Sequence, residues 1–371
     1  MFNHDHYVPA IKWKRGERIA LEKLTVQQLE KITPLIEVQP IPFDHKEDEF
    51  QKSIDEHLEQ FGENLSAFWS PERPVFVDAH TIFDDKRIDP EITLENGQTP
   101  LEYIVTDIES TNIKAVPVTY LHRLPTYHDS IKSCLQKYNR GLALRLQKSD
   151  FENFIEFERE LSKWLTFNEI NPSDVDIILD FEEIDPNKSS ILLDEISLLI
   201  TKFPHLKSWR TFTILSTSMT PNLSHITTGT NSEMPRVEWE IYTNLLKRGL
   251  SRFPAYGDYN IGHPQWVDFD PTKMDRGANI KYTVDNKFLI FRGRGVRRRG
   301  FSQMRQLCKD AINHPEYSGR DFSFGDEYIY NCATDPHFST GNSETWVRVN
   351  VNHHLAFTIN QLTNVLASKV F

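Results

Sequence analysis

The chain reads as an α/β protein: a (β/α)8 TIM-like barrel over residues 1–270, with a C-terminal α+β extension over 271–371 packed on it. Three observations predict this class. Eight short apolar runs are spread evenly over the first 260 residues. Helix-length segments separate them, and strand–helix alternation repeated this often implies a parallel sheet. Each run also ends in a polar residue at the same relative place, as expected where strand C-termini surround one functional mouth. Closure rests on the count of eight; an open doubly wound sheet is the alternative. No Gly-rich phosphate fingerprint follows the first strand, which weighs against dinucleotide binding.

The strands are expected at Tyr7–Lys12, Pro34–Glu37, Pro74–Asp78, Lys114–Tyr120, Gly141–Arg145, Val175–Asp180, Arg210–Ser216 and Pro254–Asp258. The segment ERIALEKLTVQQLEKI has an apolar helical face in Ala20, Leu21, Leu24 and Leu29, and Thr33-Pro34 ends it. Residues 43–68 read as a second helix, with Phe50, Ile54, Leu58 and Phe61 at helical spacing. A helix around Pro100–Ile108 precedes the fourth strand. Ser149-Asp150 is placed to cap a helix carrying Phe154, Phe157, Leu161 and Leu165. Helices Ser189–Phe203 and Glu238–Leu245 complete the barrel set. In the extension, KYTVDNKFLIFRGRG predicts a hairpin turning at Asp285-Asn286. FSQMRQLCKDAI predicts a short helix. WVRVNVNHHLAFTINQLTNVL reads as a strand-like piece and then a helix.

Composition narrows the function classes. With 39% hydrophobic and 26% charged residues, the profile is that of a globular protein. No apolar stretch approaches the ~20 residues that span a bilayer. The start, MFNHDHYVPA, lacks the basic-then-apolar pattern of a signal peptide. Cys134, Cys308 and Cys332 lie far apart, against a disulfide framework or thiolate zinc site. A cytoplasmic protein without membrane contact is the expectation. Net charge −11 disfavours whole-surface nucleic-acid binding but leaves a local basic groove open.

Side chains alternate along a strand with period two. On one face of each predicted strand the apolar residues come first and a polar one last. The convergent set is Lys12, Glu37, Asp78, Tyr120, Arg145, Asp180, Ser216 and Asp258. Lys12 and Arg145 suit a phosphate or carboxylate. Glu37, Asp78 and Asp180, assigned as the catalytic acids, suit proton transfer or a hard cation such as Mg2+, with His80 a further acid–base candidate. The same charges would also satisfy one another as a buried ion-pair network without chemistry.

The stretch FRGRGVRRRG concentrates arginines. Arg292 and Arg294 share a strand face and are expected to close over the ligand, and Arg297–Arg299 would suit a nucleic-acid backbone. The alternative is a solvated loop pairing with acidic helices. His353-His354 is expected at a strand–helix junction as surface or core-edge histidine, and Trp13 beside Lys12 near the mouth.

Two segments carry a family likeness. YVPAIKWKRGERIALEKL with ITPLIEVQP, and the late WVRVNVNHHLAFTINQL, resemble the beta protein family, whose members occur in bacteria and their phages. The matching residues run in order: Tyr7, Pro9, Lys12, Gly16, Glu17, Pro34, Leu35, Glu37, Asp78, Arg145, Trp346, His353, His354, Gln361 and Leu362. The Arg-rich stretch through Arg299 is more basic than that pattern needs. The resemblance carries no reaction with it and implies a setting in phage–host conflict. The resulting expectation is a barrel that binds a phosphate-bearing ligand or nucleic acid, as a Mg2+-assisted phosphodiesterase or nuclease-like hydrolase. The competing expectation is a non-catalytic sensor or subunit that recognises a phage protein or small ligand.

Overall fold

A computed structural model describes residues 2–70, 73–267, 270 and 273–367. Its strands are, in order, β1 (Tyr7–Ile11), β2 (Leu35–Glu37), a small hairpin of β3 (Phe43–Asp44) and β4 (Glu49–Phe50), β5 (Val75–Asp78), β6 (Ala115–Thr119), β7 (Leu142–Gln147), β8 (Val175–Glu183), β9 (Thr211–Thr217), β10 (Asn231–Pro235), β11 (Ala255–Asp258), β12 (Gly277–Val284) and β13 (Lys287–Gly295). Eight of them close a parallel barrel in the order β1-β11-β9-β8-β7-β6-β5-β2. The chain is therefore a (β/α)8 barrel, with all eight expected strands present. No helix among the described residues is long and apolar enough to cross a membrane.

Alternation sorts each strand between two cores. Val8, Ala10, Leu35, Phe76, Val116, Val118, Ala143, Ile178 and Leu215 fill the barrel interior. The opposite faces, with Tyr7, Ile36, Val77, Leu144, Ile177 and Ile214, pack under the surrounding helices. Such filled barrels leave only the mouth for a ligand.

Local punctuation differs from expectation in three places. Residues 43–68 form the β3–β4 hairpin and two short helices, Ile54–Leu58 and Phe61–Ser66, broken where Gln60 takes a left-handed φ of 57°. The first helix stops at Glu22, and Thr25 opens a new turn by accepting from the Gln28 amide. Asn153, not Ser149-Asp150, caps Phe154–Phe167; Asp150 accepts from the Gln147 amide instead.

The extension is built against the barrel. Its sheet runs β10-β13-β12, so one strand comes from the connection after β9 and crosses the expected boundary at residue 270. The hairpin turns at Asp285-Asn286 as expected. The tail is one continuous helix, Ser343–Ala367. The alternating valines of WVRVNV imitate a strand, but this segment is buried on most sides, so its valines contact partners all around. Polar residues inside it must then be paired. Asn352 donates to the Ala20 carbonyl and accepts from the Gly325 amide. His353 bonds Asp326 at 2.9 Å, and His354 bonds Asp258 at 3.0 Å. Both histidines are fully buried, not at a surface junction.

Gly16 sets the approach of the first helix to this last one. A Cβ there would lie 2.8 Å from the Glu344 carbonyl oxygen and 3.0 Å from Val347. Gly16→Val should destabilise the fold by about 1–3 kcal/mol through overpacking. A thermal melt showing an unchanged Tm would contradict this contact.

Candidate functional site

The carboxyl ends of the strands converge on one guanidinium. Arg145, on β7, is 4% exposed, and the side chains of Glu37, Asp78 and Asp180 are 2%, 0% and 0% exposed. Its Nε donates to Asp180 at 2.9 Å and its Nη1 to Asp78 at 2.7 Å. Its Nη2 donates to Glu37 at 2.9 Å and to the Tyr259 hydroxyl at 2.7 Å. Water is replaced by fixed acceptors on almost every N–H, the condition for a charge to stay buried. Burial works against the charge, but Tyr120, Tyr259, Asp180 and Glu37 together hold the guanidinium protonated.

The three acids are not equivalent. Asp78 also accepts from Tyr120 Oη at 2.6 Å and the His80 amide at 3.0 Å. Asp180 also accepts from Tyr259 Oη at 2.6 Å and the Glu182 amide at 2.9 Å. Glu37 has only Arg145 as a side-chain partner among the described residues, through Oε1. Glu37 is also the one of the three that lines the open cavity at the mouth, whose volume is ≈ 610 Å³. Burial pushes its carboxyl up to about 7, against the pull of Arg145 and Lys12. Asp84, on the same cavity, is raised to about 6 by burial and by Asp78.

The other lining residues are of mixed charge. Glu182, Glu183, His80, Arg123, Gln147, His263 and the segment Pro264–Trp266 complete most of the wall. Trp13, Glu182 and Asn260 each take a left-handed φ at or just after a barrel strand's end. Three such non-glycine residues around one opening are the kind of local strain found at functional sites.

The sequence-expected residues divide into three groups. Glu37, Asp78, Tyr120, Arg145 and Asp180 meet at the mouth. Lys12 stands beside it as a strut: its Nζ donates to the Pro264 and Gln265 carbonyls and so holds the cavity-lining loop. Trp13 stacks on Phe61 with ring centroids 5.4 Å apart, a packing role.

Ser216 and Asp258 lie on the other face of their strands. On β9 it is Leu215 that enters the interior, so Ser216 faces the helix layer. Asp258 accepts from the Tyr7 and Tyr256 hydroxyls, at 2.5 and 2.9 Å, and pairs with His354. This outward cluster bolts the extension to the barrel. His354 is held below the usual histidine value by burial and bridges Asp258 to the Thr283 hydroxyl as a neutral ring.

Arg292 and Arg294 do not close the site. The Arg292 guanidinium donates to the Leu223 and Ile226 carbonyls, fixing the loop before β10. The Arg294 backbone is held by Gln303, and its side chain is exposed. The Arg297 backbone amide donates to the Asp275 carboxylate at 2.9 Å and its guanidinium to the Met274 carbonyl at 3.2 Å, rather than to distant acidic helices.

Tyr259, Asp84 and Arg123 were missed. Tyr259 was detectable: it shares period-two phase with Gly257, while Asp258 has the other phase. Asp84 ends a short 3-10 helix, His80–Asp84, and Arg123 lies in the loop after β6; no strand periodicity points to either.

The acids expected to hold Mg2+ meet Arg145 as their cation. Among the described residues, the His/Cys/Asp/Glu cluster with metal-ligand spacing is Glu233, His314 and Glu316. There Lys287 Nζ already lies 2.9 Å from Glu233 and 2.8 Å from Glu316.

A family model described as Beta protein matches residues 7–360. The chain belongs to the Beta protein family. No curated protein matches it. Within this family member, Gly16, Glu37, Asp78, Arg145, His353, His354 and Gln361 fall into two roles. Glu37, Asp78 and Arg145 build the mouth. Gly16 and the histidines seat the last helix, and Gln361 accepts from the buried Arg236 guanidinium at 2.6 Å.

Arg145→Met should leave three buried carboxylates without their cation and cost about 3–5 kcal/mol of stability. Denaturant unfolding of the variant measures this, and wild-type stability would show that the network is dispensable.

Proposed function

We propose that the barrel mouth is the active site of a hydrolase that uses carboxylate acid–base chemistry on a small ligand, in the setting of phage–host conflict. One observation carries the reading: Glu37 binds Arg145 through one oxygen, lines the cavity, and is raised to about 7. A carboxyl tuned in this way holds or releases a proton at neutral pH, which suits a general acid. Asp84, raised to about 6, serves as the matching base. In the reaction Asp84 takes a proton from water as its oxygen bonds to the electrophilic centre. The bond to the leaving oxygen breaks, and that oxygen departs with the Glu37 proton. Arg145 then balances the charge left on Glu37. A phosphoester is one bond of this kind. Arg145 supplies the positive charge beside the acids that the Mg2+ reading assigned to a metal.

A second reading has its own support. Asp78 and Asp180 each accept three bonds and have no free face, as in a structural plug beneath a binding surface. On that reading the chain is a non-catalytic sensor.

The pH profile follows from the two carboxyls. Glu37 must be protonated, so the rate falls as pH rises through about 7. Asp84 must be ionised, so the rate also falls as pH drops through about 6. With p-nitrophenyl phosphate and bis-p-nitrophenyl phosphate as probes, a bell between these limits is expected, unchanged by Mg2+ or chelator. Glu37→Gln should lose roughly a hundredfold or more in rate. In cells, the wild-type chain is expected to reduce phage plaques, and Glu37→Gln should lose that reduction. Equal protection by the folded variant would favour the sensor.

A further inference from the structure

Arg123 is the mouth cation that the acids do not use. It follows β6, and its guanidinium lies 3.8 Å over the Tyr120 ring. Its side chain makes one hydrogen bond, from Nη1 to the adjacent His122 carbonyl at 3.0 Å. Its Nε is buried without a partner. No carboxylate forms an ion pair with it among the described residues. The Nε and Nη2 edge of this guanidinium is a planar fork with no protein acceptor among the described residues. Arg145, which donates four hydrogen bonds to three carboxylates and one tyrosine, is the opposite case.

His80 stands beside it, its ring 5.2 Å from that of Tyr120. Its ring nitrogens make no hydrogen bond among the described residues. Burial, and the nearby Arg123 charge, hold it down to about 4, so at neutral pH it offers an N–H and no charge. Both residues line the ≈ 610 Å³ cavity, a volume suited to a small-molecule ligand.

We propose that Arg123, with His80 beside it, is an oxyanion subsite that receives the single phosphate or carboxylate group of a small ligand whose remainder lies over Glu37. The placement over Glu37 rests on the mouth being the active site; the subsite itself does not. Arginine matches either oxyanion with two parallel N–H donors. Asp84, Glu182 and Glu183 on the same cavity disfavour a polyanion. The remainder of the ligand is therefore neutral or cationic, as in a sugar phosphate or an amino-sugar acid.

Calorimetric titration of the full chain with inorganic phosphate, acetate and tripolyphosphate tests this. Phosphate or acetate should bind, and Arg123→Met should weaken that binding at least tenfold. Arg123→Lys, which keeps the charge without the fork, should fall between. Arg298→Met, at an exposed arginine, should bind as wild type. Phosphate alone binding marks a phosphoester ligand, acetate alone a carboxylic acid; either supports the subsite. The titration reads binding and not turnover, so failure of the hydrolase reading would leave this result standing. Wild-type binding by Arg123→Met, no binding of phosphate or acetate at about 10 mM, or much tighter tripolyphosphate would overturn the subsite.

Discussion

A guanidinium removed from water needs acceptors on every side, and Arg145 finds them on several strands at once. Glu37 comes from β2, Asp78 from β5, Asp180 from β8, and Tyr259 from just beyond β11. The barrel must be closed, and in register, for these groups to meet. Three acids around one cation also cannot all be fully neutralised. Asp78 and Asp180 are compensated by hydroxyl and amide donors, and Glu37 is not. Burial therefore raises Glu37 to about 7 in spite of Arg145 and Lys12, and it is the one of these three acids that lines the cavity. Stability and reactivity come from the same arrangement.

The extension depends on a second polar seam on the outside of the barrel. Asp258 leaves β11 on the helix side and ties Tyr7, Tyr256 and His354 together. One residue earlier on the last helix, His353 reaches Asp326 and the Thr283 carbonyl. Neighbouring histidines on a helix diverge, and here each finds its own aspartate. Arg236, fully buried, adds contacts to Gln361 and to the turn between β12 and β13. Because β10 leaves the barrel to pair with β13, the extension and barrel share backbone hydrogen bonds as well as side chains.

Strand positions could be read from the sequence because apolar runs of strand length alternate with helix-length segments. Five site residues followed, since a strand's last inward residue faces the mouth. The same rule failed at Ser216 and Asp258. There the expected strand end falls on the outward phase, and an apolar–polar pair looks alike on either face. Tyr259, one residue later, was the inward group. The last helix was misread because a helix buried on most sides loses the amphipathic period, while alternate valines mimic a strand. Arg292 and Arg294 share a strand as expected. Their partners, two loop carbonyls and a glutamine, are fixed only by tertiary packing. No local pattern in the chain announces Asp84 or Arg123, because residues beyond the strand ends reach the mouth through the course of the backbone.

The central claim is that burial beside Arg145 holds the Glu37 carboxyl up to about 7. Selective 13C labelling of glutamate side chains, with Glu37→Gln used to assign the signal, allows its carboxyl to be followed by NMR as pH is raised. The account predicts a midpoint near 7. A midpoint in the ordinary carboxylate range would contradict it and leave the mouth as an ion-pair network without an acid.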